Sequence, residues 1–236
     1  VEAFEPDWGL VLPYVPDEAR GGWLAVLGYA AEVIGAPARV SNGMLGRIRL
    51  QWWREALDEV FGDGSVREHP VVRAMAVTLR QSSDVRQSLE AMADGMEGFL
   101  SNGADNSIDT AVAARQSVYG GLAEALGALA GCPSGGEGLT LYALARSAPD
   151  ADAIPGEDGT EPPARRFSRA LGQDHSLEPA LAERIVGYRK ERGDKVLALP
   201  ALPLVLAKAK GGKVSRVKNP LAQKLAVFRG VLMGRV

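Results

Sequence analysis

Apolar residues return at three- and four-residue intervals along nearly the whole chain, and no run alternates convincingly with a period of two. That rhythm predicts an all-α fold. Helices are expected at about 17–33, 44–61, 70–80, 84–101, 108–130, 137–147, 178–191, 200–209 and 220–233, the first with Asp17 as its N-cap. GAPARVSNG (35–43) and GDG (62–64) are rich in turn formers and separate the first helices. The longest stretch without periodicity is the acidic, proline-rich segment 148–163, the length of loop that is functional or disordered. Residues 1–236 read as one domain, since no repeat emerges and 46% hydrophobic against 24% charged residues is ordinary for a chain with a core.

The most distinctive segment is GRIRLQWWREALDEV (46–60), which places two adjacent tryptophans among three arginines. At about 100° per residue, Ile48, Leu50, Trp52, Trp53, Ala56, Leu57 and Val60 cover one broad arc. Arg47, Gln51, Arg54, Glu55 and Asp58 fall mostly opposite. Arg49 is the exception and projects into the apolar arc, between Ala56 and Val60. A guanidinium there requires an anion, because an unpaired buried charge costs several kcal/mol. A protein carboxylate such as Glu32 or Glu124 would serve, and so would a ligand phosphate gripped in bidentate fashion.

Charge is unevenly spread. Residues 1–182 carry 14 Lys/Arg against 26 Asp/Glu, a balance of −12, whereas residues 183–236 carry 13 against 3, a balance of +10. The basic C-terminal third either packs on the acidic body or faces an anionic membrane or an acidic client protein. In NPLAQKLAVFRGVLMGRV (219–236), Leu221, Leu225, Phe228 and Leu232 beside Lys224 and Arg229 fit an interfacial amphipathic helix, and they fit a core helix slightly better. The apolar run at 196–207 is broken by Pro200 and Pro203 and is shorter than the roughly 20 residues that span a bilayer. A cytoplasmic protein is expected, soluble or at most peripheral to a membrane.

Several chemistries find no support. Cys132 is the single cysteine, which excludes an internal disulfide, and His69 and His175 lack metal-ligand spacing. There is no phosphate loop, no H-E-x-x-H, no C-x-x-C and no G-x-S-x-G. Aromatic residues are too few around the basic ones for a base-stacking surface, so no nucleic-acid partner is expected. In YGGLAEALGALAG (119–131), Gly120, Gly121 and Gly127 each cost a helix roughly 1 kcal/mol relative to alanine. Close helix packing explains them best, and a wall beside a cavity for a bulky apolar ligand is the functional alternative.

GRIRLQWWREALDEV, followed shortly by HPVV (69–72), resembles the squalene/phytoene synthase family, especially the branch that includes the mitochondrial complex I assembly factor. WLAVLGYAAEVIGAP (23–37), ARQSVYGGLAEALGALAG (114–131), YALARSAP (142–149) and the C-terminal helix carry weaker likenesses, so the resemblance extends over most of the chain. It implies a terpenoid-synthase-like helical bundle around a central apolar cavity. In active members, two aspartate-rich motifs hold Mg²⁺, which grips a prenyl diphosphate and takes up the leaving group's charge. Here the first motif is replaced by IGAPA (34–38), with Glu32 the only acid nearby. At the second, Arg146 matches the family's arginine, but Ser147 stands where an aspartate belongs.

No catalytic residue is assigned from this pattern. Asp150 and Asp152 are the remaining metal candidates. With Glu161 they fit positions of an EF-hand loop, but Pro155 occupies the position that needs glycine. The leading expectation is a non-catalytic or divergent member that needs no cofactor, binds a prenyl or other lipid chain, or acts as an assembly factor. Arg49, Arg54 and Arg146 would meet an anionic headgroup, and Tyr29, Trp52, Trp53 and Tyr119 would line the wall. The alternatives are an active, Mg²⁺-dependent prenyltransferase that condenses prenyl diphosphates, and a helical interaction module with a filled core.

Overall fold

The computed structural model describes residues 7–36, 39, 43–100, 105–147, 163–191 and 198–234. They form an α-helical assembly with one small hairpin. In order the helices are α1 (Trp8–Val11), α2 (Asp17–Ile34), α3 (Gly43–Phe61), α4 (Pro70–Leu79), α5 (Ser83–Leu100), α6 (Ile108–Arg115), α7 (Gly121–Ala130), α8 (Gly136–Ser147), α9 (Pro163–Gln173), α10 (Leu177–Glu191) and α11 (Pro220–Met233). A 3₁₀ segment (Leu199–Leu206) leads into strands β1 (Ala207–Lys210) and β2 (Lys213–Arg216). The acidic stretch with Asp150 and Asp152 lies outside the described residues up to position 162.

Local chemistry sets most of the ends. Proline at the first helical position, where no N–H is needed, opens α4 and α11. The His69 ring caps the first and the Asn219 amide the second. Ser107 and Thr110 form a capping box at α6. Gly131 closes α7 and Gly234 closes α11 with φ of 61° and 62°, the left-handed turn that glycine adopts without strain. The first long helix differs slightly from expectation: Pro16 is its N-cap, and Asp17 lies in the first turn.

α2 is the centre of the core and packs against α4, α5 and α7. Its aromatic residues bind it there. The Trp23 indole donates to the Leu126 carbonyl in α7 (2.8 Å), and the Tyr29 hydroxyl donates to the Leu89 carbonyl in α5 (2.9 Å). Trp8 meets Trp23 edge to face at 5.9 Å. The glycines of 119–131 serve close packing: a Cβ on Gly121 would stand 2.7 Å from the Ser88 carbonyl oxygen, and one on Gly127 would stand 2.9 Å from that of Cys132. Gly121 thus permits a close contact between α7 and α5, whereas Gly127 makes room for the turn that follows α7.

Three sequence expectations change. The helix expected at 108–130 is interrupted by a π-helical turn (Gln116–Gly120). The one expected at 200–209 is instead the 3₁₀ segment and a strand, because Pro200 and Pro203 lack the N–H that α-helical bonding requires. AKAK and KVSR then pair antiparallel across Gly211–Gly212, whose φ values of 58° and 75° suit a tight hairpin turn. α9 falls just after the aperiodic stretch and had no counterpart in the periodicity.

The basic C-terminal third packs on the acidic body only in part. Arg184 pairs with Glu137 (2.7 Å), Arg216 pairs with Asp7, and the Val214 amide donates to Glu178 (3.0 Å). α11 departs from the core reading: Leu221, Leu225, Phe228 and Leu232 are all exposed, and only Val227 and Gly230 are buried.

Candidate functional site

The N-terminal half of α3 forms the floor of a pocket of about 710 Å³, lined by Arg39, Leu45, Ile48, Arg49, Trp52, Trp53 and His69. That volume lies within the roughly 300–1,000 Å³ typical of small-molecule sites. The helical period explains the lining. Arg49 shares the apolar arc of α3 with Trp53, Ala56 and Val60, but it lies at the end where this arc meets the pocket instead of another helix. Ile48, at the margin of that arc, is exposed, and so is Leu45.

The aromatic wall is braced from behind. Trp53 is 1% exposed and sits edge-on to Tyr29 (5.5 Å), Trp52 (4.9 Å) and His69 (5.1 Å). Arg67 lies over the Trp52 ring at 4.4 Å, a cation–π contact, while donating to the Trp52 carbonyl (3.0 Å) and gripping Glu59 (2.6 Å). Those bonds to Glu59 hold its carboxyl below the usual carboxylate range and raise the Arg67 guanidinium above its own. His69 accepts from the Val71 amide through Nδ1 (3.3 Å), which assigns the proton of the neutral ring to Nε2.

The charge pattern is unequal. Glu32, near the end of α2, accepts from Arg49 (2.8 Å) and from Arg39. Two guanidinium groups thus share one carboxylate, leaving the cluster one positive charge in excess. The Arg49 Nε is buried and has no hydrogen-bond acceptor. An apolar, aromatic trough with a surplus cation and an unused N–H suits an amphiphile with an anionic head.

The other residues expected at the site go elsewhere. Tyr29 backs Trp53 without lining the pocket, and burial pushes its phenol far above the usual range. Arg54 turns to α5, where it binds Asp94 (2.7 Å) and Glu97 (2.6 Å). Burial works against its charge, but these two carboxylates outweigh that effect and hold its pKa above the ordinary value. Tyr119 is buried in the π-helical turn, and Arg146 on α8 reaches the Tyr142 hydroxyl (3.5 Å), which itself donates to Asp7 (2.5 Å). Neither lines the pocket. The periodicity of α3 had not marked Leu45 as a lining residue, nor Ile48 as more than part of the apolar arc. The histidine–proline pair was the available signal for His69, whereas Arg39 lies in a loop with no periodicity to place it.

The family model for squalene/phytoene synthase matches residues 6–120. Over these residues the chain is similar to the squalene/phytoene synthase family. Searches of curated proteins and of solved structures return no match. The matched region contains α1 to α6 and every residue of the pocket. The squalene/phytoene synthase chemistry calls for Mg²⁺, yet the described acids beside the pocket do not fit it. Glu32 is committed to two arginines, Asp94 and Glu97 to Arg54, and no group of three or more metal-ligating side chains occurs among the described residues. No helix among the described residues is long and apolar enough to cross a membrane.

Proposed function

We propose that this squalene/phytoene synthase-like protein binds, without ionising it, a prenyl or related lipid whose head is a phosphate or diphosphate, in the pocket beside α3. The observation that carries this reading is the joining of two arginines, one carboxylate and an acceptor-free Arg49 Nε to a wall of Trp52, Trp53, Leu45 and Ile48. Arg49 would donate through Nε to a head oxygen while Glu32 holds its other arm in place. Arg39 would close the head from the loop side, and the tail would cover the exposed Leu45 and Ile48. The paired aspartates that would draw off the diphosphate through a metal are absent from 34–38, and Ser147 replaces one at the second motif.

The test is a titration of farnesyl diphosphate with and without Mg²⁺, read by fluorescence of the paired tryptophans and followed by product analysis. Binding should be independent of Mg²⁺ and weaken by about 10- to 100-fold in Arg49→Ala, the scale of one lost charge-assisted hydrogen bond. Glu32→Gln should bind severalfold more tightly, because repulsion between two anions about 4 Å apart is worth about 1 kcal/mol even in bulk water. Mg²⁺-dependent binding with release of diphosphate would replace this reading with an active prenyltransferase. An unchanged affinity in Arg49→Ala would remove the headgroup assignment.

A further inference from the structure

The C-terminal helix α11 presents an apolar stripe that no part of the described chain covers. At about 100° per residue, Leu221, Leu225, Phe228 and Leu232 fall within an arc of roughly 60°. All four are more than half exposed, from 52% for Phe228 to 72% for Leu232. The opposite face, with Val227 and Gly230 buried, packs on the 3₁₀ segment and on α1. Asn219 and Pro220 at one end and Gly234 at the other fix the helix, so the stripe belongs to an ordered, capped element. Lys224 borders it on one side and Arg229 on the other, and neither forms an ion pair with a described residue. No acidic residue occurs between Lys195 and the last residue given, Val236.

We infer that α11 is an interfacial helix that lays this stripe on an anionic lipid surface. The alternative of a second copy of the chain fails on charge. The spacing i, i+4, i+7, i+11 matches the seam of a coiled coil, with Lys224 and Arg229 at the two flanking positions. Parallel self-pairing then sets Lys224 against Arg229, and antiparallel pairing sets each cation against its own copy. Both arrangements are repulsive, and the helix has no carboxylate to offset them. Two heptads also fall short of the three or four that a coiled coil sustains. An anionic bilayer meets both demands: the acyl boundary takes the four side chains to a depth of about 5–10 Å, and the headgroups pair with the flanking cations. Extended along the surface, the helix needs neither the length nor the uniform hydrophobicity of a spanning segment.

The experiment is co-sedimentation of the full chain with vesicles of phosphatidylcholine alone and of phosphatidylcholine containing about one-third phosphatidylglycerol, at low and high salt. Association with the anionic vesicles alone, weakened by salt, is expected. Phe228→Glu and Leu225→Glu should each abolish it while leaving the far-ultraviolet dichroism unchanged, because both side chains are already more than half exposed. Replacing Lys224 and Arg229 by glutamine should weaken it by about fivefold per residue. Arg49→Ala should bind vesicles as the parent does, which separates this surface from the pocket. Failure to sediment with anionic vesicles would overturn the inference, and so would equal association with neutral ones or an unaltered Phe228→Glu. Retention of an acidic protein partner in the absence of vesicle binding would assign the stripe to protein docking instead.

Discussion

Replacing Asp105 by alanine removes one half of the most deeply buried ion pair in the described structure. Asp105 and Arg115 have side chains 2% and 1% exposed, and they are joined by two hydrogen bonds of 3.1 and 2.8 Å. Arg115 also donates to the Ala111 carbonyl (2.9 Å) and lies over the rings of Phe99 (5.3 Å) and Phe167 (5.5 Å). The group thus ties α6 to α5 and α9, at the point where the π-helical turn begins. Asp105→Ala removes both of these carboxylate hydrogen bonds while the guanidinium stays buried. Breaking such a pair costs about 3–5 kcal/mol. For a chain of 236 residues that corresponds to a melting temperature lower by about 6–20 °C.

The double variant Asp105→Ala, Arg115→Met should lose less than the single one, because a buried guanidinium that has lost its carboxylate is what costs most, and methionine fills the space between the two phenyl rings. The assay is chemical denaturation of the parent, both single variants and the double variant, analysed as a cycle. A loss below about 1 kcal/mol for Asp105→Ala, or a double variant less stable than either single, would show that the pair is not held out of water as described.

Two further predictions concern packing and pH. Gly121→Ala should destabilise by about 1–2 kcal/mol despite the better helix propensity of alanine, because the new methyl would press on the Ser88 backbone. Gly98→Ala, in α5 with nothing within 4 Å of a new Cβ, should instead stabilise by about 0.5–1 kcal/mol, and thermal unfolding of the two variants compares the signs directly. Glu59 has a folded pKa below its unfolded value, so its contribution is full above about pH 4.3 and disappears as the pH falls through the lower, folded value. Acid unfolding of Glu59→Gln should therefore be shallower than that of the parent in this window, and superimposable curves would refute the role given to the Arg67 bridge.

The sequence by itself determined the helical class, most helix positions and the likeness to the squalene/phytoene synthase family, because each rests on local chemistry. Apolar side chains recurring near every third or fourth residue bury one face of a helix wherever it packs, and caps such as Ser107 and Asn219 act within one turn. For the same reason Arg49 could be singled out as needing an anion from its place on α3 alone. The hairpin at 207–216 was legible in principle, since AKAK and KVSR alternate around two glycines, but strands of four residues carry too weak a rhythm to stand out.

Only the tertiary structure decided which carboxylate answers Arg49, why Arg54 one turn further on serves α5 instead, and that Arg39 and His69 join the pocket. It also decided the fate of α11. The residues of an amphipathic helix show that it has an apolar face, but not whether that face turns inward. Here the burial of Val227 and Gly230 against the 3₁₀ segment turns the Leu221–Leu232 stripe outward. Periodicity is a property of one element, whereas the partner of a face or a charge is set by elements far away in the chain. That information is written in no single segment.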